Sequence, residues 1–177
     1  VSYYRLAADN GQINAMRNYA LMLEKGRGVK SVSILESNKY LKMAADKGQL
    51  SAMNYYGLKL IRGDTLPMDK KEGARYIKMA ADEGHIDSIY MYGILLLNGE
   101  GVQQNKEEAV RLFKEAADKG NEDAAYLYGY ALFNGEGVKE NKKEGIKFIR
   151  NVADDGHSEA CYYLSHLLSD HKAIPSQ

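Results

Sequence analysis

One short string recurs along the chain at a nearly fixed interval. Ala-Ala-Asp-x-Gly occupies residues 7–11, 44–48, 80–84 and 116–120, and Val152-Ala153-Asp154-Asp155-Gly156 is a looser copy. The terminal glycines stand at 11, 48, 84, 120 and 156, in steps of 37, 36, 36 and 36 residues. Such a period marks a repeat architecture, in which each supersecondary unit buries its apolar faces against its neighbours. A second string, Asn98-Gly99-Glu100-Gly101-Val102, keeps the same register. It returns as residues 134–138, as Lys25-Gly26-Arg27-Gly28-Val29, and in decayed form as Arg62-Gly63-Asp64-Thr65-Leu66. The extra residue of the first step falls within 29–33, between two helices, where an insertion disturbs least.

Each period predicts two helices, A and B. In the fourth unit, helix A runs over 122–134 and helix B over 142–155. Helix B opens on a capping box, a short polar residue with Glu three positions on: Ser33/Glu36, Asp69/Glu72, Asn105/Glu108 and Asn141/Glu144. Each such cap is worth about 1 kcal/mol. The Gly of Ala-Ala-Asp-x-Gly ends helix B, and Gly26, Gly63, Gly99 and Gly135 end helix A, because the residue past the last turn enters the left-handed region.

The remaining glycines also fall into columns. Gly57, Gly93 and Gly129 lie inside helix A, with Ala20 and Ser165 completing the series, and Ser37, Gly73, Ala109 and Gly145 open helix B. Gly inside a helix costs roughly 0.5–1 kcal/mol against Ala, so a recurring one implies a recurring benefit, close helix–helix approach. Bulky partners run beside them: Tyr19, Tyr56, Tyr92, Tyr128 and Leu164; Leu23, Leu60, Leu96, Leu132 and Leu168; and, on helix B, Tyr40, Tyr76, Leu112 and Phe148. With all 17 glycines placed in such columns, none remains for a flexible linker or a nucleotide loop.

The order small-x-x-x-(aromatic or Leu)-Gly-x-x-Leu-x-x-Gly-x-Gly-Val, then Asn/Asp-x-x-Glu, then Ala-Ala-Asp-x-Gly, resembles the Sel-one-like repeat, a relative of the tetratricopeptide repeat, over residues 1–170. His85 and His157, after Gly84 and Gly156, match the Gly-His pair common in that family. Two departures stand out: Tyr40, Tyr76, Leu112 and Phe148 hold a position where the family usually has Trp, and Thr65 replaces the second loop glycine. The resemblance implies an all-α fold, a right-handed α-solenoid of antiparallel helix pairs. The expected organisation is one array over 1–170: a half repeat 1–11, repeats 12–48, 49–84, 85–120 and 121–156, a half repeat 157–170, and a tail 171–177. The chain thus reads as a segment beginning inside a repeat, with at least one helix upstream in its parent and half-repeats at its ends that could pair with another copy.

The resemblance further implies a non-enzymatic scaffold or adaptor that grips a protein or peptide on a concave face lined by helices A. The alternative it allows is a substrate-recruiting segment of a larger enzyme, such as a protein kinase or ubiquitin-ligase subunit. With Tyr128 centred on the core side of the fourth helix A, a wheel of 100° per residue puts Ala124, Ala125, Ala131 and Leu132 beside it. Tyr126, Tyr130 and Phe133 fall opposite, where a lone surface helix should be polar. Their equivalents are Tyr90, Ile94 and Leu97; Asn54, Leu58 and Ile61; Arg17, Leu21 and Glu24; and Tyr162, His166 and Ser169. Tyr offers large contact area and a polar tip at low entropic cost. Tyr90, Ile94, Leu97, Tyr126, Tyr130 and Phe133 are therefore the candidate partner-binding residues, and packing of the same side chains between neighbouring helices A is the competing reading.

No catalytic, metal or cofactor site is expected. His85, His157, His166 and His171 lack metal-ligand spacing, and hydrogen bonding at helix starts accounts for the first two. Cys161 shares a column with Met16, Met53, Ile89 and Ala125, which predicts a small buried apolar role. Ser169-Asp170-His171-Lys172 fits the S-x-x-K motif of penicillin-recognising serine enzymes but lacks its K-T-G and S-D-N companions. Gly99-Glu100-Gly101 lacks the Lys and the strand context of a phosphate cradle.

Lys plus Arg and Asp plus Glu each number 24, which denies a nucleic acid or anionic membrane the cationic excess it would attract. Ile94 to Leu97 is far too short an apolar run to cross a bilayer, which takes about 20 residues. A lone cysteine and no N-x-S/T sequon point to an intracellular, cytoplasmic setting. Some secreted relatives in the family staple each helix pair with a disulfide, which this chain cannot form.

Overall fold

In the computed structural model, which describes residues 2–29 and 31–169, ten helices follow one another and no strand occurs among the described residues. They are α1 (Ser2–Asp9), α2 (Ile13–Lys25), α3 (Ile34–Asp46), α4 (Leu50–Arg62), α5 (Lys70–Asp82), α6 (Ile86–Asn98), α7 (Lys106–Asp118), α8 (Glu122–Asn134), α9 (Lys142–Asp154) and α10 (Ser158–Ser169). Even-numbered helices are the A helices and odd-numbered ones the B helices. The chain divides into two compact units: Val1–Ser88 with Glu100–Val102, and Ile89–Gly99 with Gln103–Gln177.

The glycine columns end helices as the sequence predicts. Gly26, Gly63 and Gly135 cap α2, α4 and α8 in the left-handed region, and the Gly after each helix B has φ between 83° and 97°. The capping boxes form only in half. Ser33, Asp69, Asn105 and Asn141 each accept from the backbone N–H three residues on, at 3.4, 2.9, 3.0 and 3.1 Å. The reciprocal bond is displaced, because the N-cap's own N–H donates across the loop to a helix-A carbonyl. Ser33 reaches Leu23 at 3.1 Å, Asp69 Leu60 at 2.9 Å, Asn105 Leu96 at 2.9 Å and Asn141 Leu132 at 2.8 Å. Glu72 and Glu108 turn instead to Arg75 and Arg111 on their own helices.

Two of the glycines inside helix A, Gly57 and Gly129, mark points of near backbone contact, while Gly93 makes room for the Phe113 ring. A Cβ on Gly57 would sit 2.7 Å from the Gly73 carbonyl oxygen, and one on Gly73 2.6 Å from that of Gly57. Gly129 and Gly145 repeat the reciprocal arrangement at 2.9 and 2.6 Å. In α2 and α3 the pair is Ala20 and Ser37, and the space is used by the Ser37 hydroxyl donating to the Ala20 carbonyl at 2.8 Å. Helices that come so close bring their aromatic columns edge to face. Tyr19 meets Tyr40 at 4.9 Å, Tyr56 meets Tyr76 at 5.1 Å and Tyr128 meets Phe148 at 5.0 Å, each within 10° of perpendicular. Such pairs add roughly 0.5–1.5 kcal/mol beyond the area they bury.

In the first unit the core joins Ala8, Met16, Tyr19, Leu23, Tyr40, Leu41, Tyr56 and Tyr76. The Tyr40 hydroxyl donates to Asp9 and the Tyr76 hydroxyl to Asp46, tying each helix B to the one before it. The hydrogen bond to Asp9, then burial, pushes the Tyr40 hydroxyl up to about 12. Leu112 and Phe148, in the same column, have no hydroxyl to do this. Thr65, the residue in place of a loop glycine, offers its carbonyl to Asn38 Nδ2 at 2.8 Å and its hydroxyl to Lys59 Nζ at 3.0 Å. In the loops after α6 and α8 the glycine is enforced by the preceding helix B: a Cβ on Gly101 would meet the Lys70 carbonyl oxygen at 2.0 Å and one on Gly137 that of Lys106 at 2.6 Å.

Lys59 and Glu24 form a buried ion pair in this unit. Nζ lies 2.8 Å from Glu24 Oε1, with side-chain exposures of 5% and 18%. The Tyr55 hydroxyl donates to the same oxygen at 2.9 Å, while Oε2 has no partner among the described residues. Burial, then the bond to Glu24, pushes the Tyr55 hydroxyl up to about 12.

Candidate interaction surface

The six candidate partner-binding residues all belong to the second unit, on α6 and α8. Tyr90, Ile94, Leu97, Tyr126 and Tyr130 are half-buried, each with part of its side chain open to solvent. Phe133 is buried, at 7% exposure. The residue that joins the three α8 members is Tyr163 of α10, which the sequence reading did not single out. Its ring lies 6.3 Å from Tyr126, 5.3 Å from Tyr130 and 6.1 Å from Phe133, all steeply inclined. The signal for it is a neighbouring column, Tyr55, Met91, Leu127 and Tyr163, bulky in four repeats. Tyr90 packs on Phe113 at 6.2 Å, and Tyr126 also meets Tyr130 at 6.4 Å.

His157 closes one end of the patch. Its Nδ1 accepts from the Ala160 backbone N–H at 3.2 Å, the N-cap role that Asn121 plays for α8 at 2.8 Å. With Nδ1 accepting, Nε2–H is the donor, and it reaches Asp123 Oδ1 at 2.9 Å. Glu159 Oε2 lies 3.7 Å from Nδ1. The ring is 5.3 Å from that of Tyr126. His85 has the corresponding place in the first unit, with Ser88 at Nδ1 and Ser51 Oγ 3.3 Å from Nε2. Both histidines thus begin a helix A, as the sequence predicts, and both also reach back to the preceding helix A.

Burial pushes the hydroxyls of Tyr90 and Tyr126 up. After burial, the carboxylates of Asp123 and Glu159 are what raise Tyr90 further, so their field reaches its ring. At the other end of the patch Lys142 Nζ sits 5.8 Å from the Phe133 ring centre and 3.8 Å from Glu140.

Elsewhere the stripe changes character. Asn54 and Leu58 are half-buried and Ile61 is buried; Arg17, Leu21 and Glu24 are half-buried; Tyr162 is 68% exposed. Cys161 contradicts its expected burial. It is exposed, because no described helix follows α10 to cover the side on which Met16, Met53 and Ile89 are buried in their repeats. Ser169 donates to the His166 carbonyl at 2.8 Å, and the rest of the S-x-x-K string, with His171 and the tail 171–177, lies outside the described residues. Among the described residues no three His, Cys, Asp or Glu side chains converge on a metal-sized site, and no helix is long and apolar enough to cross a membrane.

The Sel1 repeat family model matches residues 1–12, 13–49, 50–85, 86–121 and 122–157. No curated protein matches the chain. Among solved structures, it is similar to c5321, a protective antigen of uropathogenic Escherichia coli displaying an SLR fold, with 22% identity and a TM-score of 0.91. That match covers 98% of this chain and 37% of the antigen. A Sel1 repeat protein from Oxalobacter formigenes is similar at 29% identity and a TM-score of 0.82, covering 93% of this chain and 47% of that one. Cysteine-rich protein B of Helicobacter pylori follows at 22% identity and a TM-score of 0.57, over 71% of this chain and 96% of its own. The chain therefore spans less than half the length of the first two. Five consecutive family matches, coinciding with the helix pairs and glycine contacts above, place this chain in the Sel1 repeat family.

Proposed function

We propose that the chain is a protein-interaction module that holds a peptide or partner helix on the helix-A face of its second unit. Sel1 repeat proteins are generally protein–protein interaction scaffolds, and the repeat itself is non-enzymatic. The observation that supports this particular face is that Tyr90, Ile94 and Leu97 on α6 and Tyr126 and Tyr130 on α8, five large side chains, are left partly open to solvent. Helices B present charge to solvent instead, for example Lys114 paired with Asp118 and Arg111 with Glu108. Tyr126 and Tyr130 also pack on the Tyr163 ring, which meets Phe133 as well, so the same rings serve packing and the competing reading stays to be tested.

Replacing Tyr126 and Tyr130 by Ser tests the reading, with partner capture and thermal melting measured on the same protein. Capture falls at least tenfold at temperatures where the variant remains folded. Undiminished capture alongside a lower melting temperature would assign these rings to packing alone.

A further inference from the structure

Beneath the neutral balance of the whole chain, the later helices A carry acidic side chains and no basic ones, whereas the helices B carry both signs. Helices α6, α8 and α10 carry Asp87, Glu122, Asp123 and Glu159 and neither Lys nor Arg. Between them, α7 carries Lys106, Arg111 and Lys114 together with Glu107, Glu108, Glu115 and Asp118, and α9 carries Lys142, Lys143, Lys147 and Arg150 together with Glu144 and Asp154. The earlier helices A differ: α2 has Arg17 and Lys25, and α4 has Lys59 and Arg62. An acidic first turn suits the helix dipole. That preference does not by itself exclude cations, since the first turns of α7 and α9 mix Lys with Glu.

Two of these carboxylates meet the aromatic patch. Asp123 and Glu159 converge on the His157 ring from opposite edges, at 2.9 and 3.7 Å, and that ring lies against Tyr126. The imidazole is almost enclosed, at 7% side-chain exposure, whereas the carboxylates are 61% and 71% exposed. Two exposed carboxylates therefore flank the imidazole that lies against Tyr126, and an aromatic ring presents its negative face to a cation. At the far end Lys142 lies by buried Phe133 and is close to Glu140.

We propose that this surface receives a cationic segment of a partner protein. A Lys or Arg side chain of that segment lies against Tyr90 and Tyr126 and is neutralised by Asp123 and Glu159, and an adjacent aliphatic side chain lies on Tyr130, Ile94 and Leu97. This rests on the reading of the helix-A face as a binding surface and adds the chemistry of its occupant.

The test uses three fluorescein-labelled peptides identical except at two positions, which hold Lys, Gln or Glu and are separated by Leu residues. Anisotropy gives affinity, and amide chemical shifts locate the contact on the chain. The Lys peptide is expected to bind most tightly and the Glu peptide least, with shifts centred on Tyr90, Asp123, Tyr126 and Glu159. Raising ionic strength from about 0.05 to 0.5 M shrinks the Lys advantage. The isosteric pair Asp123→Asn with Glu159→Gln keeps an acceptor for His157 and lowers Lys-peptide affinity about three- to tenfold, while leaving the Gln peptide unchanged. Glu159→Gln alone, which leaves the Asp123 bond to His157 intact, gives a smaller loss in the same direction. If Gln and Lys peptides bind this face equally, or the Lys preference survives the double substitution, the cationic occupant is refuted and the binding face stands. If none of the three shifts the Tyr90, Tyr126 and Tyr130 amides, both readings fall.

Discussion

Replacing Lys59 by Met removes one member of a buried ion pair and leaves the other. Lys59 Nζ sits 2.8 Å from Glu24 Oε1 and 3.0 Å from Thr65 Oγ1, at 5% side-chain exposure. Without it, the Glu24 carboxylate keeps only the Tyr55 hydroxyl, and its second oxygen has no partner among the described residues to begin with. Breaking such a pair from one side costs about 3–5 kcal/mol. The 18% exposure of Glu24 gives it some access to water, which favours the lower figure, about 3 kcal/mol. The repeat supplies its own control. One period on, the positions of Glu24, Tyr55 and Lys59 are held by Ile61, Met91 and Leu95. The triple variant Glu24→Ile, Tyr55→Met, Lys59→Leu copies that apolar set, removes both charges and the orphaned hydroxyl together, and is expected at wild-type stability or up to about 3 kcal/mol above it. Urea unfolding of wild type, Lys59→Met, Glu24→Ile and their combination measures the coupling. Additivity within about 0.5 kcal/mol, or a Lys59→Met cost below about 1 kcal/mol, would refute a buried, interdependent pair.

Gly57→Ala forces a methyl to within 2.7 Å of the Gly73 carbonyl oxygen and 2.8 Å of Ile77 Cγ1. It lowers stability by about 1–3 kcal/mol in thermal melts despite the better helix propensity of Ala, and a stabilised variant would contradict the contact. Asn141→Ala deletes the cap on the Glu144 N–H and costs about 1 kcal/mol by urea titration, whereas no loss would mean that the Leu132 clasp alone sets the start of α9. Asp46 is partly buried, which raises its carboxyl, but bonds from Lys42 and Tyr76 outweigh this and hold it below the usual range. A lowered folded value means stability present above the unfolded carboxylate pKa and lost as pH falls through the folded one. Asp46→Asn therefore flattens the acid limb of stability against pH, by well under about 1 kcal/mol because the side chain is 46% exposed; an unchanged limb argues against it. Tyr40 works in the opposite sense: its hydroxyl is raised to about 12, so its contribution is complete below the free tyrosine value of about 10 and disappears as pH rises through 12. Tyr40→Phe removes that alkaline limb, which base titration of unfolding measures.

The helices and their glycine contacts were readable because each rests on local rules repeated in register. The range 122–134 expected for a helix A is the α8 observed, since Asn121 and Gly135 punctuate it chemically. What local rules missed were bonds made across the repeat. The capping box assigns the N-cap N–H to a Glu side chain, yet a Leu carbonyl from the previous helix takes it first. A wheel drawn for one helix put Phe133 among solvent-facing residues, because it has no place for the Tyr163 ring that covers it. Column logic buried Cys161 by analogy with Met53, yet Cys161 is exposed, with no helix after α10 among the described residues. Lys59 interrupts a column of Met22, Leu95 and Ala131, an anomaly that becomes legible only beside Glu24, which interrupts the column of Ile61, Leu97 and Phe133.

The bond from each N-cap N–H back to a helix-A Leu carbonyl has a consequence for how such arrays change over time. From Gly26 to Ser33 the chain takes one residue more than from Gly63 to Asp69, Gly99 to Asn105 or Gly135 to Asn141. The same donor nevertheless finds the same carbonyl, at 3.1 Å in the longer loop and 2.8–2.9 Å in the others. Loop length is thereby uncoupled from helix register. The loop takes an added residue at that seam while the bond that starts the next helix is kept, which makes the seam a place to graft new sequence.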